Sequence, residues 1–305
     1  MNHDWMIALD LGGTDLKAGL LDKAGTLAHF TRRPSRTLES ADAPLEVIAE
    51  TVEELRARSG SRVGGVGLGS PGVIHPVTGA LVGRTPHLPH WDSIALRERL
   101  GEWLGLPVSV DNDANCAALA ESVLGAARGT RISVTVTLGT GVGCGIVVES
   151  RVLRGAFGGA GELGHLPLGS GRYPCRCGVE NCVEPEASAS GLIEMAREAG
   201  LDAPDAAAVF AAAARGDARA VKLVDHMADR LGALLAVAIN LINPEAVVVG
   251  GGVAQAGEPL FSRLGRALER YALASHRQGL RVVPAALGER AGVIGAGLLA
   301  WQAAG

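Results

Sequence analysis

Met6-Ile7-Ala8-Leu9-Asp10-Leu11-Gly12-Gly13-Thr14-Asp15-Leu16-Lys17 is the stretch on which the reading of the whole chain turns. A short apolar run ends in a carboxylate, a glycine pair follows, and a second apolar run, Leu16 to Leu21, stops at Asp22. That order predicts two strands joined by a tight glycine turn. The phrase returns in the second half of the chain. Ile132 to Leu138 alternates like a strand, Gly139-Thr140-Gly141 supplies the turn, and Val142 to Val148 runs back. Two related hairpins, one in each half, indicate a weak internal duplication and not a short-period array. Glycine has no Cβ, so such a backbone can approach a phosphate and aim its N–H groups at the anion. Two turns of this kind can clamp a triphosphate; plain tight turns are the other reading of the same residues.

Outward from these hairpins, strands and helices alternate. Leu45, Ile48, Val52 and Leu55 predict a helix over 43–58, and Val63 to Leu68 a buried strand ending in Gly69-Ser70-Pro71-Gly72. Ile94 to Leu104 reads as a helix. Val108 to Val110 reads as a strand that enters Asp111-Asn112-Asp113 and then the Ala-rich helix 114–124. Helices dominate from Glu186 to Asn240. A buried strand, Ala246 to Val249, is followed by Gly250-Gly251-Gly252; a helix over 258–274, a strand over 280–283 and a helix over 292–303 complete the chain. This alternation is the signature of the α/β class.

Composition removes other classes. The 305 residues carry 28 Lys+Arg against 32 Asp+Glu, a net charge of -4, with no basic block, so no nucleic-acid partner is expected. Hydrophobic residues at 48% provide a core and exclude disorder. Glycine, at 43 residues, is about twice its usual share of roughly 7%, without the period of three that collagen requires. The longest apolar run, Leu231 to Ile242, is interrupted by Asn240 and falls short of the roughly 20 residues a membrane span needs. No basic segment leads into an apolar stretch at the N-terminus, so no signal peptide is expected. Five cysteines do not make a disulfide scaffold. The expected setting is the cytoplasm, where a cysteine cluster is read as metal or redox first.

Several residues can carry chemistry. Asp10, at a strand end, can hold Mg²⁺ or a metal-bound water, and Lys17 and Thr140 can reach phosphate oxygens. Val249-Gly250-Gly251-Gly252 suits nucleotide contact at a strand end, or close strand–helix packing. Asp111-Asn112-Asp113 stands where a buried strand meets a helix. An N-cap explains one polar residue there but not three in a row, and a carboxylate in that place can act as general base on a hydroxyl. Gly161-Glu162-Leu163-Gly164-His165 precedes Cys175, Cys177 and Cys182. Three thiols and one imidazole make a closed Cys₃His zinc site, with buried or redox thiols as the alternative. Cys116 and Cys144 sit in apolar runs and are expected in the core. Glu162 and Glu184 bracket the cluster and can accept hydrogen bonds from a polyol; a solvated surface acid is the alternative for Glu184.

Taken together, the motifs resemble those of the ROK family of sugar kinases and repressors. Asp10 to Lys17 is similar to its phosphate signature, Asp111 to Asn115 to its sugar-and-base signature, and Thr137 to Gly143 to its second phosphate motif. Gly161 to His165 with Cys175 through Glu184 is similar to its zinc and sugar motifs, and the likeness is collinear from about Met6 to Ala303. The resemblance implies an actin-like (ribonuclease H-like) two-lobed ATPase fold with a cleft, its small lobe formed by 1–111 plus 291–305 and its large lobe by 112–290 with the zinc loop. It implies a hexose kinase using ATP, Mg²⁺ and structural Zn²⁺. Glucose is the leading acceptor, N-acetylmannosamine or N-acetylglucosamine the alternative, and polyphosphate the other possible donor. Residue by residue, Asp113 would be the base, and Gly72, Asn112, Glu162, His165 and Glu184 would bind the sugar. Asp10, Gly12, Gly13, Thr14, Lys17, Gly139, Thr140, Gly141, Gly251 and Gly252 would hold ATP and Mg²⁺; His165, Cys175, Cys177 and Cys182 would hold zinc. A homodimer is also implied. Two readings from another class are a sugar-responsive repressor, for which Asp10 leaves no room ahead for a helix-turn-helix, and a sugar-binding regulatory protein without catalysis. The chain departs from the family pattern at Asn181, where glycine is usual, at Pro185-Glu186, and at His87-Leu88-Pro89-His90-Trp91. Asn tolerates a left-handed backbone, so the turn at Asn181 is expected to survive.

Overall fold

Nearly every apolar run marked above becomes a strand or a buried helix face in the computed structural model, which describes residues 3–305. The elements in chain order are β1 (Trp5–Leu11), β2 (Asp15–Leu21), β3 (Leu27–Pro34), α1 (Ala43–Arg58), β4 (Val63–Ser70), the short β5 (Val73–Ile74) and β6 (Leu81–Val82), α2 (Leu96–Leu104), β7 (Val108–Asn112) and α3 (Asp113–Val123). They continue with β8 (Ile132–Leu138), β9 (Val142–Val148), β10 (Arg151–Val152), α4 (Glu184–Ala187), α5 (Ala189–Glu198), α6 (Ala206–Ala214), α7 (Ala218–Ile242), β11 (Ala246–Gly250), α8 (Glu258–Tyr271), α9 (Ala274–Arg277), β12 (Arg281–Pro284) and α10 (Ala291–Ala304). They form two units. The first takes the chain up to Arg128, Gly145–Ala160 and Glu289–Gly305; the second takes Gly129–Cys144 and Gly161–Gly288.

In the first unit the strands lie in the order β3-β2-β1-β4-β7. The hairpin β1–β2 is antiparallel, while β4 and β7 run parallel to β1. The register sets Lys17 opposite Asp10, Asp10 opposite Gly69, and Gly69 opposite Asp111, so one row of residues crosses the carboxyl ends of the parallel strands. One core of this unit joins Ile7, Leu9, Leu16 and Leu68 of the sheet to Ile48, Val52 and Leu55 of α1. In the second unit β8, β11 and β12 are parallel neighbours, with Thr137 opposite Gly250. The long helix α7 buries Val224, Met227, Leu231, Leu234, Leu235 and Ile239, a spacing of three and four that makes one apolar face.

Three differences from the expected elements have physical causes. Strand β3 was not marked by the sequence. It is an edge strand, Leu27-Ala28-His29-Phe30-Thr31-Arg32-Arg33-Pro34, half exposed and without clean alternation. Helix α2 begins at Leu96 and not Ile94, because the Ile94 carbonyl accepts the N–H of Leu81 and holds that residue beside β6. The helix expected to reach Ala274 ends at Tyr271. Asn240 intervenes: its amide donates to the Tyr271 carbonyl (3.2 Å) and its oxygen accepts the Leu273 N–H (3.0 Å), drawing the backbone out of the helix. No helix among the described residues is long and apolar enough to cross a membrane.

Helix α10 packs on the sheet and on α3 at backbone contact. A Cβ at Gly67 of β4 would lie 1.8 Å from the Ala296 carbonyl oxygen, and one at Gly295 would lie 1.7 Å from the Cys116 carbonyl oxygen. Gly297 leaves room for Leu21 and Ala8 in the same way. A glycine in a helix interior costs about 0.5–1 kcal/mol relative to alanine, so this helix is kept weak by its own sequence for the sake of its seat. Gly295→Ala is therefore expected to lower the unfolding free energy by about 1–3 kcal/mol or more, the cost of overpacking, although alanine favours the helix. Urea unfolding that shows a stabilised Gly295→Ala variant would contradict the packing described.

Candidate functional site

In the first unit the site begins at the row of strand ends. Asp10 closes β1 and faces Lys17 of β2, whose Nζ lies 3.6 Å from Oδ2. Burial raises the Asp10 carboxyl to about 6; Lys17 pulls it down, and the nearby Asp113 charge adds to the rise. A half-buried carboxylate with a second carboxylate nearby is a fitting ligand for a hard cation. Gly292, at the start of α10, has no room for a Cβ, which would come within 2.6 Å of this carboxylate. The glycine turn is closed by Gly12 N–H donating to the Asp15 carbonyl (2.8 Å), and Thr37 Oγ1 donates to the Gly13 carbonyl (2.6 Å). Thr14 stands exposed at its tip.

Asp111, Asn112 and Asp113 divide three tasks. Asp111 is buried. It accepts Arg154 Nε at 2.7 Å, Asn115 Nδ2 at 2.9 Å and the Asn112 N–H at 2.8 Å. Asn112 is the helix cap: its Oδ1 accepts the N–H groups of Ala114 (2.9 Å) and Asn115 (3.2 Å). Its Nδ2 donates to the Gly72 carbonyl at 3.1 Å, and Gly72 holds a left-handed φ of 94°. Asp113 is the first helical residue, half-buried, with Oδ1 accepting the Ala114 N–H. The cap is thus an amide and not one of the acids. The loop after β6 covers two of these features: His87 lies against Gly13, and Thr85 against Gly72, each within 3.4 Å of where a Cβ would stand.

In the second unit Gly139-Thr140-Gly141 turns sharply, Gly139 N–H donating to the Gly141 carbonyl at 3.0 Å, with Thr140 exposed. Gly251, at a left-handed φ of 84°, lies against the Leu138 backbone, where a Cβ would come within 2.3 Å of the carbonyl oxygen; Gly252 follows it. The β8–β11 pairing therefore sets the third glycine run beside the second glycine turn. Glu184 accepts the Val142 N–H at 3.1 Å, and its Oε2 occupies the space beside Gly141 where a Cβ would stand. Its Oε1 accepts the Cys175 thiol at 3.5 Å. The reading of Glu184 as a solvated surface acid does not hold.

His165, Cys175, Cys177 and Cys182 present ligand atoms that all lie within 4.8 Å of one another. His165 Nδ1 faces Cys182 Sγ (3.4 Å) and Cys175 Sγ (3.9 Å), while Nε2 faces Glu162 Oε2 at 3.8 Å. Burial raises Glu162; His165 opposes the rise and Glu184 adds to it. The Cys-x-Cys turn is closed by Gly178, φ 81°, whose N–H donates to the Cys175 carbonyl. Asn181 adopts φ 55°, the left-handed backbone expected where glycine is usual. Three thiols and an imidazole at this separation can hold a metal ion with bonds of about 2.0–2.3 Å. Cys116 and Cys144 are buried as expected, and burial pushes the Cys144 thiol up to about 12.

Sequence reading singled out these residues but missed their supports, and it did not mark the short helix that Glu184 begins. Arg154 carries no local signal; it follows β10, and its partner Asp111 is on β7, distant in the chain. Glu186, His226 and Arg230, which hydrogen-bond at or beside the Cys/His loop, were also missed. The match of a family model to residues 6–303 is to "ROK family". The chain is 37% identical to a glucokinase of Halalkalibacterium halodurans, over 99% of this chain and 96% of that one, and 35% identical to an N-acetylmannosamine kinase of Citrobacter koseri, over 96% and 98%. Among solved structures, the ROK hexokinase from Thermus thermophilus superposes with a TM-score of 0.84 at 35% identity, covering 98% of both chains. A ROK family glucokinase from Streptomyces griseus, in complex with glucose and AMPPNP, gives 0.83 at 31% identity, covering 98% of this chain and 99% of that one.

Arg154→Ala leaves the buried Asp111 without its cation. It is expected to lower the unfolding free energy by about 2–3 kcal/mol, with Arg154→Lys recovering part of the loss. Urea denaturation of the two variants measures this; a loss below about 0.5 kcal/mol would show that the pair is only a surface bridge.

Proposed function

The chain belongs to the ROK family, has its actin-like ATPase fold and is an ATP-dependent sugar kinase; from that premise we propose that it phosphorylates glucose at a hydroxyl deprotonated by Asp113. The observation that carries this reading is the division of tasks at Asp111-Asn112-Asp113. Asp111 ties the end of β7 to Arg154 and Asn115, Asn112 caps α3 and holds Gly72, and Asp113 stands half-buried in the first turn of α3, near enough to Asp10 for its charge to be felt there. A carboxylate there accepts the proton of the attacking hydroxyl as its oxygen bonds to the γ-phosphorus, and the electron pair leaves with ADP. Gly72 and Asn112 orient the sugar beside it.

Phosphoryl transfer demands positioning and charge neutralisation more than covalent help. In the first unit the turn, closed by the Gly12 N–H on Asp15, offers the backbone N–H groups of Gly13 and Thr14, and Lys17 a cation, to the phosphates. Asp10, half-buried at the strand end with the Asp113 charge nearby, would hold Mg²⁺, which supplies charge neutralisation at the phosphates. In the second unit Gly139, Thr140, Gly141, Gly251 and Gly252 line the corresponding strand ends and are assigned to the nucleotide. His165, Cys175, Cys177 and Cys182 would hold zinc, which braces the loop without entering the reaction. With Nδ1 turned toward the thiols, the Nε2 N–H of His165 is free in direction to serve a sugar hydroxyl alongside Glu162 and Glu184. The protein is assigned to the cytoplasm as a homodimer, which light scattering on the purified protein tests.

The identity of an N-acetylmannosamine kinase with this chain makes N-acetylhexosamines the second reading. An ADP-release assay over glucose, N-acetylmannosamine, N-acetylglucosamine, fructose and allose decides between them; the highest kcat/KM is expected with glucose, and replacing ATP by polyphosphate is expected to abolish turnover. Asp113→Asn is expected to lower kcat by about 10²–10⁴-fold while the sugar Kd stays within about threefold. Near-normal turnover in that variant would remove Asp113 from its role. Elemental analysis is expected to find about one zinc per chain, falling toward zero in Cys182→Ser; an unchanged content there would refute the ligand set.

A further inference from the structure

Helix α7 reaches the metal-binding loop with two side chains four residues apart. His226 and Arg230 therefore lie on one helix face. Arg230 Nη1 donates to the Leu168 carbonyl at 3.1 Å. His226 Nε2 bonds Glu186 Oε2 at 2.7 Å, and Glu186 Oε1 accepts both the N–H (2.5 Å) and the hydroxyl (2.7 Å) of Ser170. Both contacts end on Leu168-Gly169-Ser170, the segment between His165 and Cys175. The middle residue is tied to the far side of the cluster, Gly169 N–H donating to the Asn181 carbonyl at 2.7 Å, and a Cβ on Gly169 would stand 2.6 Å from the Cys182 carbonyl oxygen.

Glu186 is almost fully buried, and a buried carboxylate survives only when its oxygens are paired. Burial would raise its carboxyl; Ser170 and His226 together outweigh that and hold it below the ordinary range. Nothing in the proposed reaction uses it.

We propose that His226, Glu186 and Arg230 are positioning residues that fasten the Leu168–Ser170 segment to helix α7, fixing His165, Cys175 and Cys182 for the metal and, through His165, for the sugar. The inference rests on the zinc reading above. Partners that orient metal ligands typically carry about a 10–100-fold share of metal affinity, and the clamp belongs to that class although it acts on the loop backbone.

The test is zinc release from the intact protein to a chromogenic chelator, with KM for glucose and for ATP measured in parallel. His226→Ala and Arg230→Ala are each expected to speed release by about tenfold or more, raising KM for glucose while KM for ATP stays within about twofold. Ser170→Ala, which keeps the backbone donor, is expected to have a smaller effect. His226→Gln, which places an amide N–H near the position of Nε2, is expected to restore much of the wild-type rate. If the alanine variants fail to fold, Ser170→Ala carries the test: its release is expected to be a few-fold faster than wild type, and an unchanged rate there overturns the proposal. Wild-type release rates in all four variants overturn the proposal, as do equal rises in both KM values with unchanged release. Because release is read without turnover, failure of the kinase reading leaves this result intact. A wild-type protein without zinc overturns both the ligand set and the clamp, and elemental analysis identifies that case.

Discussion

The close seat of α10 is the constraint on which the first unit depends. The helix touches β4 and α3 through backbone atoms, at places where a methyl group would overlap a carbonyl oxygen. Interiors packed to crystal-like density have no slack to absorb such an overlap. Gly292, Gly295 and Gly297 on α10, with Gly67 on the sheet, are the condition for that approach, and Gly292 leaves the space beside Asp10. The glycine excess of the composition therefore has two separate causes. Some glycines turn the chain at strand ends, as Gly72 and Gly251 do with left-handed φ. Others permit helix and sheet to meet.

On that frame the register does the rest. Lys17, Asp10, Gly69 and Asp111 fall in one row because β1, β2, β4 and β7 pair as they do. Gly69 carries no side chain in the middle of that row, so Asp10 and the start of α3 share one space, and the charge of Asp113 is felt at Asp10. The carboxyl ends of parallel strands are where an open α/β sheet leaves a ligand accessible. Three adjacent polar residues then take three different roles, because strand β7 ends within the triplet and a helix begins there.

The second unit repeats the logic with a different fastening. Glu184 bonds the backbone just after Gly141 and also meets Cys175, so one carboxylate ties a glycine turn to the Cys/His loop. Helix α7 holds the same loop from its other side through His226 and Arg230. The loop has little regular structure of its own beyond a three-residue turn at Leu163–His165, and hydrogen bonds to Glu184 and Glu186 and to α7 link it to the rest of the unit.

How far the sequence could be read follows from the range of each interaction. Periodicity and turn chemistry are local, so both hairpins, helix α1, the strand–helix junction at Asp111–Asp113, the Cys₃His set and the left-handed Asn181 were all legible. Strand β3 was not, because an edge strand is stabilised from one side and needs no alternating pattern. Nor was the end of α8, set by Asn240 on another helix, nor the partnership of Asp111 with Arg154. The sequence by itself determined which residue types stand at strand ends and which thiols cluster. Only the tertiary structure decided that Asn112 is the cap, that Glu184 serves the second glycine turn and that α7 reaches the Cys/His loop. Those assignments depend on hydrogen bonds between residues distant in the chain, and a bond of that kind has no local signature until the backbone brings its two ends within 3 Å or so.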